Sequence, residues 1–224
     1  MRAILKKITH PFLKYTSQKY FSKPRIYGFE GIKVKVMPEV FPPHCTLSTK
    51  ILLEYLKPLD LNEKTLLELG SGSGIIALYA ASKGAKVTAS DINTIALTAL
   101  KENSSQNGLD IEIVESDLFQ NIKQQRFDYI IINPPYYAKQ PKNIKEQAWF
   151  CGENFEYFQK LFEELTTRTD HTILMILSQD CDIMHIKHIA KQWSLHLTIE
   201  QEQTKLLEQN YIFRISKDDK SVKT

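Results

Sequence analysis

Hydrophobic positions change rhythm twice along the chain. In the first twenty residues Ile4, Ile8, Phe12 and Tyr15 recur at helical spacing, and Pro11 should end or restart the helix. Residues 26–42 then read as a hairpin. An apolar run at 26–29 meets a turn at Glu30-Gly31, and in the second run Lys33 and Lys35 alternate with Ile32, Val34 and Val36. A helix over 46–56 stops near Pro58. Beyond it, short apolar runs alternate with helical stretches. Strands are expected at 65–69, 86–90, 111–115, 127–132 and 173–177. Helices are expected at 75–82, at 94–106, around Phe155, Phe158, Phe162 and Leu165, and at 183–193. Two final strands, 197–202 and 211–216, follow with no helix between them. Strict alternation predicts an α/β fold: a doubly wound, mostly parallel, seven-stranded sheet with helices on both faces and an antiparallel pair at one edge. Residues 1–42, helix plus hairpin, are expected to extend a domain at 43–224.

Composition narrows the class. The longest apolar runs, 129–132 and 173–177, fall far short of the roughly 20 residues a membrane-spanning helix needs. Arg2, Lys6 and Lys7 are not followed by a continuous apolar stretch, so no secretory signal is read and a cytoplasmic location is expected. Cys45, Cys151 and Cys181 are scattered, and His171, His185, His188 and His196 form no zinc pattern with them, so neither a disulfide framework nor a metal site is expected. The net charge of +3 divides unevenly. Residues 1–36 hold nine Lys and Arg against Glu30 alone, a charge of +8, and the remainder carries −5. A basic front end on an acidic body fits either an acidic partner such as nucleic acid or a merely solubilised N-terminal helix.

Open parallel sheets bind ligands outside the carboxyl ends of their strands, and four polar features fall there. The first is Glu68-Leu69-Gly70-Ser71-Gly72-Ser73-Gly74. Its glycines permit a tight turn and close approach of a ligand to the backbone. The third glycine comes one residue too early for a dinucleotide fingerprint, which argues against a nicotinamide dehydrogenase. The second is Asp91, 21 residues after Gly70, where an acid can accept both hydroxyls of a ribose and would repel a phosphate. The third is Asp117, placed to accept from an adenine amine. Glu68 is placed to orient the loop or attract a cationic ligand tail.

These residues resemble the cofactor site of class I S-adenosylmethionine-dependent methyltransferases, over roughly residues 43–216. The resemblance implies a Rossmann-like fold and S-adenosyl-L-methionine as cofactor. Glu68, Gly70, Gly72 and Gly74 would face its methionine part, Asp91 its ribose and Asp117 its adenine. Ser71, Ile92 and Leu118 are expected as backbone or packing contacts.

The fourth feature, Asn133-Pro134-Pro135-Tyr136 after the fourth strand, is the sharpest. Prolines restrict the backbone and carry no N–H, so their carbonyls can point into a site. The Asn133 amide oxygen is a second acceptor. Two acceptors side by side suit a planar NH2 group, whose lone pair they would turn toward a methyl sulfonium. Tyr136 would pack on the flat substrate. The motif is similar to that of amino-methyltransferases, in two branches: the HemK-type family, which methylates a glutamine amide in translation release factors, and enzymes acting on exocyclic amines of RNA or DNA bases. Ala148-Trp149 and Gly152-Glu153-Asn154 are similar to the HemK-type segment after the motif. Phe41-Pro42-Pro43-His44 with Thr46 and Thr49 is similar to the stretch that lies over the cofactor in these enzymes. The expected activity is therefore methyl transfer to a protein glutamine amide, with an adenine exocyclic amine in structured RNA or DNA as the alternative. No membrane partner is expected.

Overall fold

The computed structural model describes residues 22–44, 46–123, 125–168, 170–205 and 208–217. The helix expected over 1–20, and with it most of the basic front end, lies outside them. Nine strands and six helices follow in order: β1 (Arg25–Phe29), β2 (Ile32–Val36), α1 (Ser48–Leu56), β3 (Thr65–Leu69), α2 (Ile75–Ser82), β4 (Lys86–Asp91), α3 (Thr94–Asn107), β5 (Glu112–Glu115), β6 (Tyr129–Ile132), α4 (Ile144–Gln147), α5 (Glu156–Leu165), β7 (Thr172–Ser178), α6 (Ile183–Gln192), β8 (Leu195–Lys205) and β9 (Glu208–Lys217). Seven strands form one sheet in the order β5-β4-β3-β6-β7-β9-β8. β3 through β7 run parallel, and β9 enters antiparallel between β7 and β8. This is the expected doubly wound sheet with its antiparallel edge.

The apolar runs of the central strands are continuous because both faces are buried. Alternation then divides each run between two cores. Leu67, Ile130, Ile132, Ile173, Met175 and Leu177 face α5 and α6. Leu66, Ile131, Leu174 and Ile176 face α1 and α2.

Hairpin β1–β2 closes on Glu30-Gly31, both at positive φ, as a two-residue turn requires. Its inner face, Ile32, Val34 and Val36, belongs to the second core, so the hairpin packs into the body. The outer edge of β2 is held by asparagines of α3. Asn107 and Asn103 each exchange a pair of hydrogen bonds with the backbone of Lys33 and Lys35, at 2.8–3.1 Å. Carboxamides here replace the neighbouring strand that an edge would otherwise seek.

Several boundaries differ from expectation. Phe155 precedes α5 at φ 60° and packs its ring 4.7 Å from His185, so it is the cap and not a helical position. β6 begins at Tyr129, because the Phe127 N–H is taken by His171 Nδ1 at 2.9 Å. The β8–β9 ladder runs past the apolar pattern to Lys205↔Glu208, where polar residues pair beyond the reach of β7. Residues 137–152 are an ordered excursion containing α4, tied back by Tyr137 N–H to Trp149 O and Cys151 N–H to Tyr137 O.

Candidate active site

The strand order reverses between β3 and β6, which opens a crevice at their carboxyl ends. A cavity of about 440 Å³ sits there. Glu68, Gly70, Ser71, Gly72, Asp91, Ile92, Asp117, Leu118, Asn133, Pro134 and Pro135 all line it. Eleven residues chosen from four separate chain segments thus meet around one space.

The glycine turn is anchored by its neighbour strand. Gly70 and Ser71 N–H both donate to the Ser90 carbonyl, at 2.9 and 2.8 Å. Gly72 N–H donates to Asp91 Oδ2 at 2.7 Å, and Asn93 N–H to Asp91 Oδ1 at 2.9 Å. Burial pushes the Asp91 carboxyl above its ordinary range, against the opposing effect of hydrogen bonds from the Asn93, Gly72 and Ile92 backbone amides. Asn93 serves two purposes: its oxygen caps α3 through Ile95 N–H, and its amide donates to Glu39 O.

Glu68 is 5% exposed and accepts from Ala77 N–H in α2 at 2.7 Å. Burial pushes its carboxyl up to about 8, against the opposing effect of that hydrogen bond. The Asp117 carboxylate is 2.5 Å from the Lys160 ammonium. Leu118 is left-handed at φ 51°, with its carbonyl held by Ser116 Oγ.

Two expected site residues do not line the cavity. Gly74 stands at the start of α2, where a Cβ would lie 2.0 Å from Leu100 Cδ1. It is a packing glycine between α2 and α3. Tyr136 turns into the core below the motif, 9% exposed, with its ring 4.8 Å from that of Tyr137. Burial raises its phenol well above the usual range. Its apolar ring is more stable in the core than against a polar ligand, so stacking on substrate is not where the fold puts it.

Phe41 and Pro43 before α1, and Thr49 in its first turn, line the cavity, whereas His44 turns away and bonds the Ile26 carbonyl at 3.0 Å. Phe41 meets Trp149 ring to ring at 4.7 Å, joining this segment to the 137–152 excursion. Sequence reasoning missed the contribution of α5. Glu156, Tyr157 and Lys160 line the cavity. The four-residue spacing of Glu156, Lys160 and Glu164 was a readable signal, hidden behind the stronger apolar stripe of the same helix.

Residues 31–151 match the methyltransferase small domain family. The chain belongs to that family. The match begins inside hairpin β1–β2 and ends within the 137–152 excursion. Among curated methyltransferases, a Methanocaldococcus jannaschii protein provisionally named protein N5-glutamine methyltransferase is 43% identical over 112 residues, which is 50% of this chain and 54% of that protein. The ribosomal RNA small subunit methyltransferase C of Actinobacillus pleuropneumoniae is 33% identical over 114 residues, 50% of this chain and 34% of that protein. The chain thus spans about half the length, or less, of the curated relatives it matches. In three dimensions it is similar to a T. thermophilus 16S rRNA N2 methyltransferase solved in complex with AdoMet and guanosine. That likeness has a TM-score of 0.59 at 17% identity and covers 85% of this chain and 50% of the other.

Proposed function

We propose that the protein is an S-adenosylmethionine-dependent methyltransferase that acts on a planar NH2 nitrogen, the glutamine amide of a protein. One observation carries the reading: Asn133, Pro134 and Pro135 line the same cavity as the glycine turn and Asp91. Cofactor and acceptor residues therefore share one space.

The cavity suits the cofactor. Ser71 Oγ is buried with no hydrogen-bond partner among the described residues. A Cβ at Gly70 would meet nothing within 4 Å, so the backbone there is open to a ligand. Asp91 is pre-oriented by backbone amides and suits a vicinal diol. S-adenosylmethionine supplies a methyl group on a cationic sulfur. The chain positions the acceptor. Asn133 Oδ1 and the carbonyl before Pro135 accept the two amide hydrogens, which directs the nitrogen lone pair along the transfer axis. Positioning of this kind is worth roughly 7–11 kcal/mol. No base has to act before transfer, because the proton can leave the product afterwards.

The M. jannaschii relative and the Ala148-Trp149 and Gly152-Glu153-Asn154 segment support a protein acceptor, a translation release factor being the class the HemK-type resemblance implies. The ribosomal RNA relatives and the basic residues 1–36 favour a second reading, an exocyclic amine in structured RNA. Labelled methyl transfer into fractionated cell extract, split between protease and ribonuclease, separates the two. Label lost only to ribonuclease would overturn the glutamine reading, and an Asn133→Ala chain that still turned over would remove the positioning role.

A further inference from the structure

α5 and the residues that follow it grip the turn after β5 at three points. Lys160 holds Asp117 at 2.5 Å, Glu164 accepts from Phe119 N–H at 2.9 Å, and the Arg168 guanidinium, just past the helix, lies 4.5 Å from the Phe119 ring centre. Lys160 and Glu164 are four residues apart and share a face of α5, and Arg168 follows just past the end of the helix. Lys160 is also 3.9 Å from Glu164. Signs alternate along this row, from Asp117 at the cavity to buried Arg168. The turn between them is strained at Leu118 and needs such support.

The cavity end of the row has chemical content. Lys160 and Asp117 both line the cavity, and neither is fully buried. Asp117 has one oxygen engaged by Lys160, and its other oxygen is an acceptor. The Lys160 ammonium has three donors, of which Asp117 takes one. The wall at this point therefore presents an acceptor beside a donor. Along its N6–N1 edge adenine offers the complement, an amino donor beside a ring-nitrogen acceptor. Hypoxanthine reverses both, with a carbonyl oxygen beside an N–H.

We propose that Lys160 is a specificity-determining residue, which with Asp117 reads the base edge of the bound nucleoside and selects adenine over hypoxanthine. The inference rests on the reading of this cavity as the S-adenosylmethionine site. It adds a donor to a recognition that Asp117 alone would make with an acceptor only.

Calorimetry on the full chain tests it, using S-adenosylhomocysteine and its hypoxanthine counterpart, S-inosylhomocysteine, as probes. The natural chain should prefer the adenine probe by at least about thirtyfold, since both base-edge bonds reverse in the other probe. Lys160→Met should weaken the adenine probe about tenfold, the loss of one charge-assisted hydrogen bond, and reduce the preference at least fivefold. Lys160→Arg, which restores a donor, should recover the preference. If Lys160 only props the turn, Lys160→Met weakens both probes alike and leaves the ratio unchanged, and that result overturns the inference. Failure of the natural chain to bind S-adenosylhomocysteine at all would instead overturn the cofactor reading, and this inference with it.

Discussion

The Asn103 side-chain amide donates to the Ser73 carbonyl at 3.1 Å, linking the middle of α3 to the glycine turn. The same carboxamide bonds the Lys35 N–H and carbonyl, at 2.8 and 3.1 Å. One fully buried side chain therefore ties together hairpin, helix and glycine turn. Leaving a buried polar group without a partner costs about 1–3 kcal/mol. Asn103→Ala strands the Ser73 carbonyl and both Lys35 groups, part of which water can reach. It should lower stability by about 3 kcal/mol in urea unfolding. It should also weaken cofactor binding, because the turn loses its outer support. A variant with wild-type stability would show that the network is replaced by water at no cost.

Glu68 makes stability depend on pH, in a direction opposite to a salt-bridged acid. Burial holds its carboxyl near 8 in the folded chain, against the ordinary carboxylate range when unfolded. Between those two values the folded state keeps a proton that the unfolded state has lost. The contribution is thus fully present below the unfolded value and is lost as pH rises through about 8. Glu68→Gln keeps an oxygen for Ala77 N–H and does not titrate. The stability advantage of Glu68→Gln over the natural chain should widen from pH 5 to pH 8 and stay level above it. Urea midpoints across that range report it, and a constant gap contradicts it. Binding of a cation beside Glu68 favours the ionised form, so cofactor binding near pH 7 should release a proton, which calorimetry in buffers of different ionisation enthalpy detects.

Much of this architecture was legible because strand and helix leave different periodicities. The runs at β3, β4, β5 and β6 and their polar termini placed eleven residues around the cavity. The features that escaped have physical reasons. Tyr136 follows a motif whose prolines set the backbone direction, and only the packed core shows that its ring turns inward. Gly74 looks like its neighbours in sequence, yet its reason is Leu100, 26 positions away. Lys160 sits on a helix whose apolar face dominates the pattern. α4 is too short to leave a period, and its start is set by the Asn143 cap on Glu146 N–H.

The two outer glycines of the turn should fail in different ways. Both have φ 76°, where an L side chain costs about 1–2 kcal/mol. Gly74→Ala adds a 2.0 Å clash with Leu100, so its total loss of stability should approach about 3 kcal/mol. Gly70→Ala meets no protein atom, and its methyl group enters the cavity. Its stability loss should stay near the backbone cost. Its cofactor affinity should fall at least about tenfold, equivalent to about 1.4 kcal/mol of lost contact. Thermal unfolding and calorimetry on the two variants separate the effects, and equal loss of affinity in both would argue against the assignment of Gly70 to the ligand face.

Phe41 and Trp149 join the segment before α1 to the 137–152 excursion. Phe41 lines the cavity from the segment before α1, and Trp149 lies between Ala148 and Phe150, which line it from the other side. Their rings, 4.7 Å apart and tilted by 49°, bridge the two segments. Such a pair is worth about 0.5–1.5 kcal/mol beyond the area it buries. On the proposed reading of the cavity, this contact closes it over the cofactor, so truncating either ring should speed cofactor dissociation. Phe41→Ala and Trp149→Ala should each raise the dissociation rate of S-adenosylhomocysteine about threefold to tenfold, the equivalent of losing about 0.7–1.4 kcal/mol of closure. The double variant should be little worse than either single one, because each substitution already breaks the bridge. Stopped-flow displacement measures all four chains. Rates that multiply in the double variant would mean that the two rings contact the ligand independently and do not act as one clasp.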